Sequence, residues 1–348
     1  MRRYLTIIFI VTFAVFRVVQ CSIDSACVEK KGEYSCQYDS SEKICIYLNR
    51  FIQLRQEILS KSIKVARKSL PSPHSELVLG MVVGADEFSK VPRFKRALKD
   101  AGLIHVVVVS GFNINLVFSL VANVVGSTYK LRNLLICESV TLFYSFLTGF
   151  EPPVIRAWIM SSVLYIGKYY GREINVLPAI IFTAAVMLIL DATNAWSLSF
   201  QLSFLATLGL VLYEGFFKDI ITKIFKREHF ILSDLSSTLA AQVLVLPLLS
   251  YNFGSISVIS PLANMLTLWI VPIATILGGV YLLTGFVGVI FSYIFTIPIY
   301  ILLDLFVWLV EMFSNFSISN VSISISLEIL VSYYIVLALI TFYSRRNL

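Results

Sequence analysis

From residue 102 to residue 343 the chain is a succession of apolar runs separated by short polar loops, and each run is close to the ~20 residues that a helix needs to span a hydrocarbon layer. Inside a bilayer the backbone N–H and C=O groups find no water, so runs of this kind must satisfy them as helices. Composition agrees: of 348 residues, 57% are hydrophobic and only 14% charged, where a soluble domain carries about a quarter. The expected fold class is an all-α polytopic membrane protein. About ten transmembrane helices are expected, at 4–19, 102–125, 133–149, 153–168, 174–190, 196–214, 232–251, 272–292, 296–314 and 327–343. The segment 256–271 is shorter, with Pro261 near its start and Pro272 at its end, and reads as a re-entrant half-helix.

Charge placement predicts the orientation. Arg2–Arg3, Lys130 and Arg132, Lys168 and Arg172, the Lys218–Arg227 cluster and Arg345–Arg346 alternate with GFEPP, DATNA, YNFGS and SNFSISNVSIS, loops free of Lys and Arg. The positive-inside trend then puts both termini in the cytoplasm and residues 20–101 largely outside the cytoplasmic (inner) membrane. The net charge of +7 is therefore a topological signal before it is a sign of any partner. Residues 1–20 look like a signal sequence and are read as a retained signal anchor, with cleavage as the alternative. Lipoprotein processing at Cys21 is a third option, which VVQC fits poorly.

Four of the five cysteines, Cys21, Cys27, Cys36 and Cys45, fall in the hydrophilic segment 21–48. There is no C-x-x-C pair and no histidine nearby, which argues against zinc. Two disulfides are expected to staple this small extracytoplasmic piece, and three connectivities remain open. Cys137 lies in a span and reads as an apolar filler. Residues 49–75 are expected to form an interfacial amphipathic helix: Arg50, Glu57, Lys61, Lys64 and Lys68 fall on one face, and Phe51, Ile52, Ile58, Leu59, Ile63 and Ala66 on the other. Arg55 breaks the pattern. A second basic cluster, Arg93, Lys95, Arg96 and Lys99, precedes the first long span and would form a collar at its outer mouth, suited to an anionic substrate.

Polar residues inside membrane spans are costly and mark function. The stretch HVVVVSGFNINLVF carries His105, Ser110, Gly111 and Asn113, and VSGFN reads as a local break in the helix. Arg156 lies one turn into the span that begins PPVIRAW; it either snorkels to the interface or pairs with a carboxylate such as Glu151. Gln201, Ser203, Gln242 and Asn264 add further polar positions. Pro247, Pro261 and Pro272 are each expected to break a helix, and broken helices at membrane depth line water-filled paths.

These stretches resemble the membrane domain of the ComEC-type competence protein family. The matching residues are GLIH–SGFN at 102–113, RAWIM at 156–160, DATNAWSLSFQLSFLATLGL at 191–210, and QVLVLPLLSYNFGSIS with PLAN and a later proline over 242–272. The resemblance covers about 76–342 and implies that 76–344 form a channel domain importing single-stranded DNA during natural transformation. It implies pore-lining roles for His105, Ser110, Gly111, Asn113, Arg156, Gln201, Ser203, Gln242 and Asn264. Phe112, Phe150 and Tyr251 could offer stacking faces to a strand, although anchoring in the bilayer is the favoured reading of each. Two departures stand out. The family's outer OB-like domain is reduced here to the cysteine segment, and SGFN stands where the family has an SGLH-type ending.

Many members also carry a metallo-β-lactamase-like domain, whereas this chain has only His74, His105 and His229 and no H-x-H-x-D-H cluster. No catalytic role, metal or cofactor is therefore expected. His105 and Ser110 point about 140° apart on a helix, which speaks against a membrane enzyme built on them. With no P-loop in the sequence, the expected partners are single-stranded DNA, the bilayer, a separate cytoplasmic motor and a separate nuclease. The alternative reading is a transporter of a small anionic or lipid-linked substrate.

Overall fold

The structure is a computed structural model and describes residues 27–30, 33–36, 43–172, 174–225, 230–316, 321 and 323–346. The expected span at 4–19 and Cys21 lie outside them. The described chain opens with a departure from the all-α expectation. Strands β1 (Cys27–Lys30) and β2 (Glu33–Cys36) pair antiparallel, with Cys27 opposite Cys36. Only residues 31 and 32 separate them, the length of a tight hairpin connection. No disulfide is established for the cysteine segment.

Helix α1 (Lys43–Ser69) follows and is amphipathic as expected, although it starts earlier and ends sooner than 49–75. Part of its apolar face is not free to lie on a membrane. Val65 and Ala66 are buried against α12 (Ile270–Val287), where a Cβ on Gly285 would stand 2.3 Å from Val65. Tyr281 of α12 donates its hydroxyl to the Val65 carbonyl at 3.0 Å. Arg55, the residue out of pattern, reaches α6 (Leu131–Leu147) and donates Nε to the Leu147 carbonyl at 3.1 Å. It thereby caps a helix C-terminus, where a cation is favoured. Burial pulls its pKa below the ordinary guanidinium value, and the Glu151 carboxylate opposes that shift.

Helix α2 (His74–Val83) is an apolar element within the stretch 20–101, and every one of its ten residues is buried. HSELVLGMVV is apolar beyond Glu76, and it was masked by charged neighbours on both sides. At 1.5 Å per residue it is about 15 Å long, half a bilayer core. Leu77, Val78, Leu79, Met81 and Val82 join the main core with residues of α12 and α13 (Val289–Ser314).

The rest of the bundle runs α3 (Pro92–Asp100), the single turn α4 (Ile104–Val107), α5 (Gly111–Val125), α6, α7 (Pro152–Tyr169), α8 (Val176–Leu190), α9 (Leu198–Phe225), α10 (Phe230–Phe253), α11 (Ser260–Thr267), α12, α13 and α14 (Leu327–Arg346). Five stretches are long and apolar enough to cross a membrane: Ile104–Val125, Leu198–Ile224, Leu232–Phe253, Ile270–Val287 and Phe291–Ser314. The protein is thus a multi-pass membrane protein, but a count of ten crossings is not established. Helix α11 is short as expected, eight residues with Pro261 in its first turn. Pro247 does not break its helix and lies inside α10. That helix packs along α9 so closely that a Cβ on Gly209 would meet the Ala240 carbonyl at 2.5 Å, and such neighbours hold a proline-containing helix together. Cys137 is buried in α6 beside Phe118 and Leu134, as an apolar filler.

Candidate functional site

The site is built around an interrupted helix. Helix α3 buries Phe94 and Leu98 and turns at Gly102, whose φ of +73° suits glycine. A Cβ there would also lie 2.5 Å from Ser260 Cβ of α11. After the turn α4, Val108 (ψ 146°) and Ser110 (ψ 171°) are extended, and α5 starts at Gly111. The predicted break at VSGFN is therefore present. It leaves the last carbonyls of α4 and the first N–H groups of α5 outside a continuous helical ladder. Helix α2 packs onto this break: a Cβ on Gly80 would stand 2.5 Å from the Val107 carbonyl oxygen, and Asn113 donates Nδ2 to the Met81 carbonyl at 3.1 Å.

Arg156 of α7 meets the break from the other side. A Cβ on Gly111 would stand 2.9 Å from both Ala157 Cβ and Arg156 Nη2. The guanidinium donates Nη1 to Thr207 Oγ1 of α9 and lies 5.9 Å from the centre of the Phe204 ring. Thr207 in turn donates its hydroxyl to the Ser203 carbonyl at 3.0 Å. Arg156 Nε is buried and has no hydrogen-bond partner. Among the described residues no carboxylate forms an ion pair with Arg156. Glu151 is not its partner: that carboxyl sits in the field of Arg55, and burial raises its pKa against that field. Beyond Arg156 the polar seam continues between helices, with Ser161 donating to Asn115 Oδ1 at 2.7 Å and Ser162 to Glu138 Oε2 at 2.6 Å.

The other expected residues fall into place unevenly. Gln242 Nε2 lies 3.3 Å from Ser260 Oγ, which reaches back to the Gly102 carbonyl at 3.5 Å, so Gln242 touches the turn before the break. Asn264 is buried on α11 with Oδ1 unpartnered. His105 is exposed on α4 and separated from Ser110 and Asn113 by the extended residues. Gln201 is spent locally on the Ala195 carbonyl at 2.8 Å and does not join Arg156.

The basic collar is not one ring. Lys95 pairs with Asp86 at 3.5 Å, Lys99 lies 5.9 Å over Phe253, and Arg93 and Arg96 border a separate cavity. Sequence reasoning missed Thr207, Gly80 and Met81. Thr207 sits four residues after Ser203, a helical neighbour that could have been found, while nothing in HSELVLGMVV announces contact with the break.

Chemically, the arrangement is a fixed cation and a set of hydrogen-bond donors beside opened backbone, in a seam between apolar helices. It can receive an anion. The chain is 28% identical over 221 residues to "ComE operon protein 3" of Bacillus subtilis (strain 168), covering 62% of this chain and 27% of that protein. It is 29% identical over 255 residues to an uncharacterised protein of Aquifex aeolicus (strain VF5), covering 70% of this chain and 56% of that protein. It is 24% identical over 218 residues to the uncharacterised protein YcaI of Escherichia coli (strain K12), covering 59% and 28% respectively. The chain thus spans little more than half the length of one of these relatives and under a third of the other two. No solved structure matches. The profile of the family described as "Competence protein" matches residues 81–347, from within α2 to the end of α14, and the chain belongs to that family.

Proposed function

We propose that this chain forms the membrane path through which a single DNA strand enters the cell during natural transformation. The observation that carries the reading is Arg156, a half-buried cation whose Nε is sealed from solvent and which has no carboxylate partner among the described residues, set against opened backbone. A charge in a membrane span is costly unless it is paired or meets its counter-ion in a path. A passing phosphate supplies that counter-ion. Serine, threonine and asparagine groups from α5, α7 and α9 give polar walls, Lys99 adds positive charge at the approach, and Phe204 and Phe112 offer faces for stacking. The chain acts as a conduit and not as an enzyme, so a cytoplasmic motor pulls the strand and a separate nuclease removes its complement. Both termini lie in the cytoplasm in this scheme.

The test uses cells lacking the gene, complemented with wild type, Arg156→Gln or Arg156→Lys, and given a marked DNA fragment. Surface-bound and internalised DNA are counted separately. Null and Arg156→Gln cells are expected to bind DNA and import none, with Arg156→Lys partly active because it keeps the charge without the guanidinium fork. Normal import by Arg156→Gln, at wild-type protein level, would overturn the reading in favour of a path for another solute.

A further inference from the structure

A cavity of about 710 Å³ opens where the end of α13 meets α3 and the turn at Ser72–Pro73. Lys90, Arg93, Arg96 and Asp100 line it from α3 and the turn before it, and Glu311 and Asn315 from the end of α13. Lys90 is held by Glu87. Arg93 and Arg96 are exposed, and among the described residues neither forms an ion pair. Directly below Glu311, helix α13 presents Trp308, Leu305, Ile301 and Ile297, all exposed at helical spacing on one of the segments long enough to cross the membrane. A charged, polar cavity therefore continues into an apolar stripe.

We propose that this cavity is a phospholipid site, with the headgroup phosphate between Arg93 and Arg96 and an acyl chain along Trp308 to Ile297. Three features select this class of ligand. The guanidinium groups match phosphate geometry. The Glu311 carboxylate, contributed by α13, accepts from an amine or hydroxyl of the headgroup, whereas it would repel the successive phosphates of a nucleic acid. The apolar stripe accounts for a hydrocarbon tail and has no use for a free anion. The assignment takes Arg93 and Arg96 out of any DNA collar. It stands apart from the DNA-path reading, since it concerns the purified protein and the far side of α3.

The experiment is native mass spectrometry on the detergent-purified chain with added phosphatidylethanolamine, phosphatidylglycerol, inorganic phosphate or a short single-stranded oligonucleotide. The variants are Arg93→Gln/Arg96→Gln, Trp308→Ala and, as a control, Lys64→Gln. Wild type and Lys64→Gln are expected to retain phospholipid. The double variant should bind it about tenfold or more weakly, the scale of losing one charged hydrogen-bonding group. Trp308→Ala should also weaken lipid binding, and inorganic phosphate should not displace lipid. Matching thermal melts for all variants exclude misfolding as the cause. Three results overturn the proposal: unchanged lipid retention in the double variant, displacement by inorganic phosphate, which would mark a simple anion site, or displacement by the oligonucleotide, which would mark a nucleic-acid surface.

Discussion

The contact between Gly111 and Ala157 sets the distance from the helix break to Arg156, and Gly111→Ala tests whether that distance matters. The new Cβ would stand 2.9 Å from Ala157 Cβ, whereas carbon atoms rest at about 3.5–4.0 Å. Both atoms are fixed to helix backbone, so α5 and α7 must part by roughly 0.6–1 Å. Overpacking of this kind costs about 1–3 kcal/mol. Alanine's better helix propensity returns at most ~1 kcal/mol, and less in a first turn. The net loss of about 1–2 kcal/mol lowers the population of the competent arrangement by a factor of about 5–30.

The readouts are DNA internalisation by complemented cells and membrane protein level measured in parallel. Import is expected to fall in that range while the protein level holds. The second arm is Gly111→Ala combined with Ala157→Gly, which moves the methyl group across the same contact and should restore most of the import. Wild-type import by Gly111→Ala would show that the close approach is not functionally required. Failure of the swap to rescue would show that the defect comes from something other than this helix contact.

Two further predictions concern α2. In Gly80→Ala the new Cβ would lie 2.5 Å from the Val107 carbonyl, which is backbone, and 3.0 Å from the Phe88 ring. A loss toward the upper end of the ~1–3 kcal/mol overpacking range is expected, seen as reduced yield of monodisperse protein. Gly279→Ala, with nothing within 4 Å of the new Cβ, should behave as wild type, and equal yields for the two would mean that α2 is not seated on the break. His74 is buried, stacked 4.7 Å from Tyr300, with Nε2 at 3.3 Å from Asp304 Oδ1. Burial lowers its pKa from 6.5 despite the opposing pull of the Asp304 and Glu76 carboxylates. The folded state therefore holds the proton less tightly than the unfolded chain, so stability is present above the ordinary pKa and is lost as pH falls through the lowered value. Melting of wild type between pH 8 and pH 5.5 should show this loss, and His74→Gln should show a shallower slope; equal slopes would refute it.

Much of this was legible in the sequence, because bilayers impose length and apolarity on each helix. The break at VSGFN could be read because glycine and asparagine interrupt an otherwise apolar run. Arg156 could be read because a charge inside such a run stands out. The rest was hidden for physical reasons. Pro247 reads as a breaker in isolation, yet it lies inside α10, which packs along α9. HSELVLGMVV is too short to register as a span, and only its tertiary contacts reveal it as core. Arg55 looked like an error in an amphipathic pattern, and its role appears only once the Leu147 carbonyl is beside it. Asp304 is a charge inside an apolar run, and its partner His74 lies 230 residues earlier, beyond any local pattern.

An interrupted helix and an uncompensated cation are each expensive in a membrane, at several kcal/mol per unsatisfied group. Proteins tolerate one or the other where neighbours can cover it. Here two separate elements bring both to one level. Helix α2 covers the break on one side through Gly80 and the Met81 carbonyl, and α7 closes the other through Ala157. Arg156 is left touching the point where α5 begins, tied among the described residues to a hydroxyl and an aromatic face. A bundle selected for stability alone would gain by replacing that arginine with leucine, because removing a charge that lacks a partner removes its desolvation cost. Its placement is explained if, as the proposed function requires, a negative charge arrives there from outside the protein.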